Sequence, residues 1–207
     1  MAQYVPKWAA GSHYGPVLTQ TDLYLLASAQ PLELQINPIL TKSSPDFSLV
    51  FNLCTGSTGG FSESADRDLP FTAVHEPATL PRVQEIVIIS EHSPWCTIVK
   101  NEDGVTLGDI CNQMWKDYTE HTITEGEFTA LPPRLQETVK RANAVNGGWG
   151  GPGQFYSPAP NPGRYKRVDW LRDRLFFESM GRDQGDYIKS RLGYNAPNIF
   201  VVKLTAF

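Results

Sequence analysis

Apolar residues run without a break through one short segment of the chain and alternate with polar residues in the segment after it. The first segment, VQEIVIIS at 83–90, carries four consecutive apolar residues, which is typical of a central strand covered on both faces. The second segment, WCTIVKN at 95–101, alternates as a half-buried strand does. We therefore predict two neighbouring antiparallel strands, preceded by a first strand at FSLVFNLC, 47–54.

After these strands the apolar spacing changes to three and four residues, which predicts amphipathic helices. Thr106 and Asp109 have the spacing of a capping box at the start of one helix, so we interpret Asp109 as a cap. Thr124 and Glu127 repeat that spacing, and a further helix is predicted from Pro133. The segment at 55–64, TGSTGGFSES, has the composition of a surface loop.

Proline interrupts the beginning of the chain repeatedly, so residues 1–35 are predicted to form an N-terminal arm packed on the body. Within it, DLYLLASA at 22–29 predicts one or two helical turns behind an Asp cap. We expect four apolar residues of this segment to be buried: Leu23, Tyr24, Leu25 and Leu26. Residues 36–207 are predicted to form a single domain.

The C-terminal third is predicted to contain three more strands. Two of them, RYKRVDWL and RLFFESM, would flank a tight turn, with Arg167 facing Glu178 and Asp169 facing Phe176. The third is NIFVVKLTAF at 198–207. The fold class is therefore α+β, with an antiparallel sheet of about five to six strands and two or three helices on one face.

Composition excludes several classes of function. The 207 residues carry a net charge of −4 and no long basic run, which argues against nucleic acid as a partner. No stretch approaches the roughly 18 apolar residues of a membrane span. The three cysteines form no CxxC and the four histidines have no ligand spacing, so we expect no disulfide framework, metal or cofactor. These features favour a soluble cytoplasmic protein.

Three kinds of function remain open from the residues. A small-molecule enzyme would use an acid/base pair in a pocket beneath the glycine- and proline-rich loop at 146–163, and its candidate residues are Asp169, Arg167, His75 and His121. A binding domain for a protein or a small molecule would present aromatic residues of the same loop, namely Trp149, Phe155 and Tyr156. In the third hypothesis the chain is a self-associating structural protein, a homo-oligomer whose interface is an exposed apolar edge strand.

Three segments resemble a family of basidiomycete fungal proteins known only as a domain of unknown function. They are PWCTIVKNEDGVTLGDI at 94–110, ITEGEFTALP at 123–132 and RYKRVDWLRDRLFF at 164–177. The resemblance implies a fungal origin and a shared α+β fold, and it implies no activity. The leading hypothesis is therefore a soluble intracellular binding or interaction domain without catalysis.

Overall fold

Nine strands and six α-helices follow one another in the computed structural model, which describes residues 7–11, 15–29, 33–147, 165–182 and 186–206. The strands are β1 Gln35–Ile36, β2 Ser48–Phe51, β3 Thr58–Ser62, β4 Arg67–Leu69, β5 Thr79–Leu80, β6 Glu85–Ser90, β7 Cys96–Lys100, β8 Phe176–Gly181 and β9 Ile199–Thr205. The helices are α1 Gln20–Ala29, α2 Leu107–Glu120, α3 Glu125–Thr129, α4 Pro133–Gly147, α5 Arg167–Leu171 and α6 Tyr187–Leu192. A 3-10 turn, Ala73–His75, lies between β4 and β5. None of the helices described is long and apolar enough to cross a membrane.

The largest sheet has four strands in the order β7-β6-β9-β8. Strand β6 is central and is buried at every residue after Glu85, which confirms the prediction from its continuous apolar run. It pairs antiparallel with β7, also as predicted, and it pairs parallel with β9. The prediction of a wholly antiparallel sheet is therefore wrong, because the last strand enters the sheet between β6 and β8.

The two faces of this sheet belong to different cores. Ile88 lies in the main core together with Ile110 of α2. Val87 points to the other face and packs in a second cluster with Ile188 of α6. Neighbouring residues of a strand point to opposite faces, so a strand that is apolar at both positions needs a cover on each side. Helices consequently pack on both faces, not on one as predicted.

A smaller sheet, β2-β3-β4, joins the large one where β2 meets β8. Asn52 bridges Phe176, and the backbone N–H of Leu53 donates to the carbonyl of Leu175 at 2.8 Å. Strand β3 lies in the segment predicted as a loop, and that prediction is wrong. The ring of Phe47 covers Gly60 so closely that an added Cβ would lie 2.0 Å from it. Glycine weakens a strand, and β3 contains Gly59 and Gly60. Packing of the Phe47 ring against Gly60 therefore helps to stabilise this strand.

Local capping chemistry was predicted correctly at two helices and incompletely at α1. Reciprocal capping boxes open α2 at Thr106 and α3 at Thr124. At α1 the cap is Thr19, whose hydroxyl accepts from the N–H of Asp22 at 3.1 Å while the Asp22 carboxylate accepts from the N–H of Thr19 at 2.9 Å. The helix is ten residues long, which exceeds the predicted one or two turns.

Helix α1 buries less of its apolar surface than its sequence predicts. Leu23 is buried, whereas Tyr24, Leu25 and Leu26 are exposed, so the expectation of burial is correct for Leu23 alone. The chain before the helix contacts the body through Leu18, which pairs with Val83. The N–H of Leu18 donates to the carbonyl of Arg82 at 2.8 Å.

The segment predicted as a strand around Arg167 is instead the helix α5. The Asp169 carboxylate accepts a hydrogen bond from the N–H of Lys166 at 2.9 Å, which satisfies a free amide at the helix start. Lys166 itself bridges Thr122, so only the entrance to the helix is extended. Arg167 therefore does not face Glu178, and the bridge partner of Phe176 is Asn52 and not Asp169.

Candidate functional site

Asp169 is buried and its carboxylate is fully engaged by the scaffold. It is 1% exposed. One oxygen accepts from the side-chain amide of Asn143 at 2.8 Å and from the N–H of Lys166 at 2.9 Å. The other accepts from the side-chain amide of Asn146 at 2.9 Å. Because these donors come from α4 and from the start of α5, the carboxylate joins the two helices.

Arg167 lies two residues before Asp169 and makes a different kind of contact. Its guanidinium carbon is 4.8 Å from the ring centroid of Trp95, which is the geometry of a cation–π interaction. Its Nε is buried and has no hydrogen-bond partner among the described residues. The edge of Trp170 approaches the same indole, with 5.2 Å between the ring centroids. Among the described residues, Arg167 thus contacts an aromatic ring and forms no ion pair within 4.0 Å of a carboxylate.

Glu127 completes this cluster from the start of α3. The indole Nε1 of Trp95 donates to Oε1 of Glu127 at 2.7 Å, and the other carboxylate oxygen accepts from the N–H of Thr124 at 2.8 Å. Burial opposes ionisation of Glu127, but the hydrogen bonds from Thr124 and Trp95 and the charge of Arg167 together lower its pKa. The carboxylate therefore serves both as a helix cap and as an anchor for Trp95.

The two candidate histidines lie in different places. His121 follows α2 and is exposed, and its carbonyl accepts from the backbone N–H of Arg167 at 3.0 Å. Its ring Nδ1 is 3.2 Å from the carbonyl oxygen of Asp117 and 4.0 Å from that residue's Oδ1. His75 ends the 3-10 turn, and among the described residues no hydrogen bond or ion pair links it to the other three candidates. The backbones of Arg167 and His121 are therefore in contact, whereas no contact between the side chains of the four candidates is found among the described residues.

The remaining binding candidates, Trp149, Phe155 and Tyr156, lie outside the described residues, as does most of the loop at 146–163. The described part of the chain contains no group of three metal-ligating side chains. The buried thiol of Cys111 has its pKa raised by burial to about 12. Burial, and then the charge of Asp169, also raise the pKa of Cys54, which disfavours the thiolate that a nucleophile needs.

A groove that the sequence did not predict is lined by residues of β2, β3 and β8, close to the Asn52–Phe176 bridge. Its volume is about 470 Å³. Its apolar lining residues are Leu49 and Val50 of β2, Phe61 of β3 and Phe177 of β8. Of these, Leu49 and Phe177 are buried in the main core. Val50 is 38% exposed, so apolar surface faces the solvent inside the groove.

Four charged side chains surround these walls: Lys42, Glu63, Asp68 and Glu178. Within the described residues, no ion pair and no side-chain hydrogen bond engages any of the four. Lys42 has a left-handed backbone with φ of 56°, at the end of a turn in which the N–H of Ser43 donates to the carbonyl of Pro38 at 2.9 Å. The N–H of Met180 in β8 donates to the carbonyl of Leu40 at 2.6 Å, which fixes this turn against the strand.

Sequence reasoning missed the groove because its walls come from segments that are distant in the chain. The one local signal was the acidic pattern at 63–68, which includes Glu63 and Asp68, and it fell in a segment partly predicted as loop. In the structure this segment connects β3 to β4 and includes the first two residues of β4, and Phe61 pairs directly with Asp68. The pairing places an aromatic side chain and a carboxylate side by side on the groove.

The fold and the groove define an α+β domain in which two joined sheets carry a charged, apolar-walled cavity. The chain matches the model of a family of unknown function, DUF6699, over residues 49–187, and it belongs to that family. The matched region contains β2 except its first residue, the whole of β8, and the Trp95–Arg167 contact. Neither the comparison with curated proteins nor the comparison with solved structures gave a match.

Proposed function

We propose that this chain is a non-catalytic binding domain and that its binding site is the groove between β2 and β8. The observation that supports the proposal is a cavity of about 470 Å³ with apolar walls and four charged side chains that lack partners among the described residues. Apolar walls with a few convergent polar groups are the usual form of a binding site. A charged group beside apolar surface contributes most to the binding free energy when the ligand supplies the opposite charge.

The geometry of Asp169 supports the non-catalytic part of the proposal. A general acid or base must reach the proton that it transfers. Asp169 is buried and already accepts hydrogen bonds from Asn143, Asn146 and Lys166. The alternative, an enzyme that uses Asp169, Arg167, His75 or His121 beneath the loop at 146–163, has no observation in its favour among the described residues and stays a prediction.

Other expectations from the sequence are part of this proposal. The partner is a protein or a small molecule and is neither nucleic acid nor a membrane, and the domain acts in the cytoplasm of a basidiomycete. A homo-oligomer and a contribution of Trp149, Phe155 and Tyr156 to binding also stay predictions. They are supported by composition and by resemblance, whereas the groove is supported by geometry.

An NMR-monitored fragment screen tests the proposal. We expect fragments to shift amide signals of Val50, Phe61 and Glu178, and we expect Val50→Trp, which fills the groove, to abolish those shifts. Ile98→Trp is the matched control, because Ile98 is a similarly exposed residue on the distant strand β7. Absence of any binding fragment, or fragments that bind only beside Trp95 and Arg167, would overturn the assignment of the groove.

A further inference from the structure

Negative charges outnumber positive charges around the groove. Glu63, Asp68 and Glu178 supply three negative charges, and Lys42 supplies the single positive one. None of them is neutralised by an ion pair within the described residues. A cavity lined mainly by one sign of charge attracts ligands of the opposite sign. The groove is therefore complementary to a cation.

The cation must be attached to an apolar body. The apolar surface of the groove includes the side chain of Val50, which is 38% exposed, and Phe61, which is partly exposed. Lysine and arginine have this combination, because an apolar stem carries a charged head. The described residues hold no group of three metal-ligating side chains, so the geometry favours an organic cation over a metal ion.

The dimensions of the groove favour an extended ligand. Ser48 pairs with Phe61, and Phe61 pairs with Asp68, so the three residues form one row across β2, β3 and β4. Neighbouring strands lie about 4.8 Å apart, which makes the row about 10 Å long. That length corresponds to about three residues of an extended peptide. Glu178 adds a carboxylate at the β8 side of the groove.

The presence of Lys42 favours a peptide over a simple amine as the ligand of the groove. An ammonium group has three hydrogen-bond donors and no acceptor. A peptide backbone offers carbonyl oxygens to such a donor, and an alkylamine offers none. The position of Lys42 on the same cavity as three carboxylates therefore suits a ligand that carries both a cationic side chain and peptide carbonyls.

We propose that the groove binds an extended, lysine- or arginine-containing segment of a partner protein, with its cationic side chain at the carboxylates of Glu63, Asp68 and Glu178 and a backbone carbonyl at Lys42. This inference rests on the proposed function of the groove as the binding site. It adds the chemical class of the partner.

The test is an NMR titration of the full chain with capped pentapeptides. The probes are acetyl-Leu-Arg-Leu-Arg-Leu-amide, the same peptide with glutamine in place of arginine, and the same peptide with glutamate. We expect the arginine peptide to shift signals of Val50, Phe61 and Glu178, to bind tightest of the three, and to lose affinity in 0.5 M salt. Free arginine and butylguanidine test whether the cation alone suffices.

Charge-removing variants complete the test. We expect Glu178→Gln and Asp68→Asn each to weaken binding of the arginine peptide about threefold, because each variant removes one exposed ion pair with the peptide. Glu102→Gln is the matched control, because Glu102 is an exposed carboxylate outside the groove. Both variants remove solvent-exposed carboxylates, so we expect them to fold.

The outcomes separate this inference from the proposed function. Equal binding of the glutamate or glutamine peptide, or binding of free arginine or butylguanidine as tight as that of the arginine peptide, overturns the inference and leaves the groove a binding site. If fragments bind in the groove and none of the peptides binds there, the inference is likewise overturned and the groove remains a binding site. If neither fragments nor peptides bind there, both proposals fail.

Discussion

Asn143 in α4 donates a hydrogen bond from its side-chain amide to the buried carboxylate of Asp169 in α5, with 2.8 Å between Nδ2 and Oδ2. The same oxygen caps α5 by accepting from the N–H of Lys166. A helix of five residues has little stability of its own, because each helix must first form a costly nucleus. One carboxylate thus stabilises a short helix and fixes a fifteen-residue helix against it.

We predict that Asp169→Asn destabilises the fold. An amide in place of one carboxylate oxygen would present N–H groups to the N–H groups of Asn143 or Asn146, and a buried donor would lose its acceptor. The expected loss in the free energy of unfolding is about 1–3 kcal/mol. Urea denaturation at pH 7 measures it.

Asp173→Asn is the control for that measurement, because Asp173 lies in the exposed turn after α5. Its replacement should change the unfolding free energy by less than about 0.5 kcal/mol. Equal stability of Asp169→Asn and the wild type would mean that the three hydrogen bonds contribute nothing to the native state, contrary to the structural role assigned to this carboxylate.

Two helix glycines should respond in opposite directions to alanine. At Gly108 in α2 an added Cβ would lie 2.4 Å from Cγ1 of Val74 and 3.0 Å from the Val74 carbonyl oxygen. We expect Gly108→Ala to cost about 1–3 kcal/mol through overpacking. At Gly126 in α3 no heavy atom lies within 4 Å of the added Cβ, so Gly126→Ala should stabilise the protein by about 0.5–1 kcal/mol.

Thermal and urea unfolding of the two variants measure this difference directly. Combining Gly108→Ala with Val74→Ala should recover part of the loss, because the nearer of the two clashes involves the Val74 side chain. A Gly108→Ala protein that is as stable as Gly126→Ala would show that α2 and the 3-10 turn do not pack as closely as the structure describes.

His92 should titrate below the ordinary histidine range. Partial burial, and then the nearby positive charge of Arg174, lower its pKa from 6.5. The Arg174 Nη1 lies 3.2 Å from His92 Nε2, where only a neutral imidazole can accept the hydrogen bond. Because the unfolded chain binds this proton more readily, stability is present above pH 6.5 and falls as the pH drops toward the pKa of the folded state.

An NMR titration of the His92 ring protons tests this pKa, with Arg174→Gln as the comparison. Removing the positive charge should move the pKa of His92 upward and reduce the loss of stability below pH 6.5. A His92 pKa at or above 6.5 in the wild-type protein, or one that Arg174→Gln leaves unchanged, would contradict the electrostatic account.

Those parts of the fold that local chemistry determines were predictable from the sequence. The run from Ile86 to Ile89 specified a central strand, and the pairs at Thr106 and Thr124 specified two helix starts. Each of these signals needs only residues within one turn or one strand. Predictions that required a distant partner had no such signal.

The errors have identifiable physical causes. The strand at Gly60 depends on the ring of Phe47, and the sequence gives no indication that the ring will cover it. The segment at 165–171 contains the β-favouring residues Tyr165, Val168 and Trp170, yet the cap at Asp169 and the amides of α4 make it a helix. The groove depends on the meeting of β2 with β8, which no local pattern encodes.

The position of β9 between β6 and β8 has a consequence for synthesis of the protein. During translation β6 leaves the ribosomal exit tunnel long before β9 is synthesised. Until then, the backbone groups on one edge of this highly apolar strand have no neighbouring strand to pair with. An unpaired edge of this kind is a site for chaperone binding or for pairing with strands of other nascent chains. A truncation that removes β9 should therefore harm production of folded protein far more than its few residues suggest.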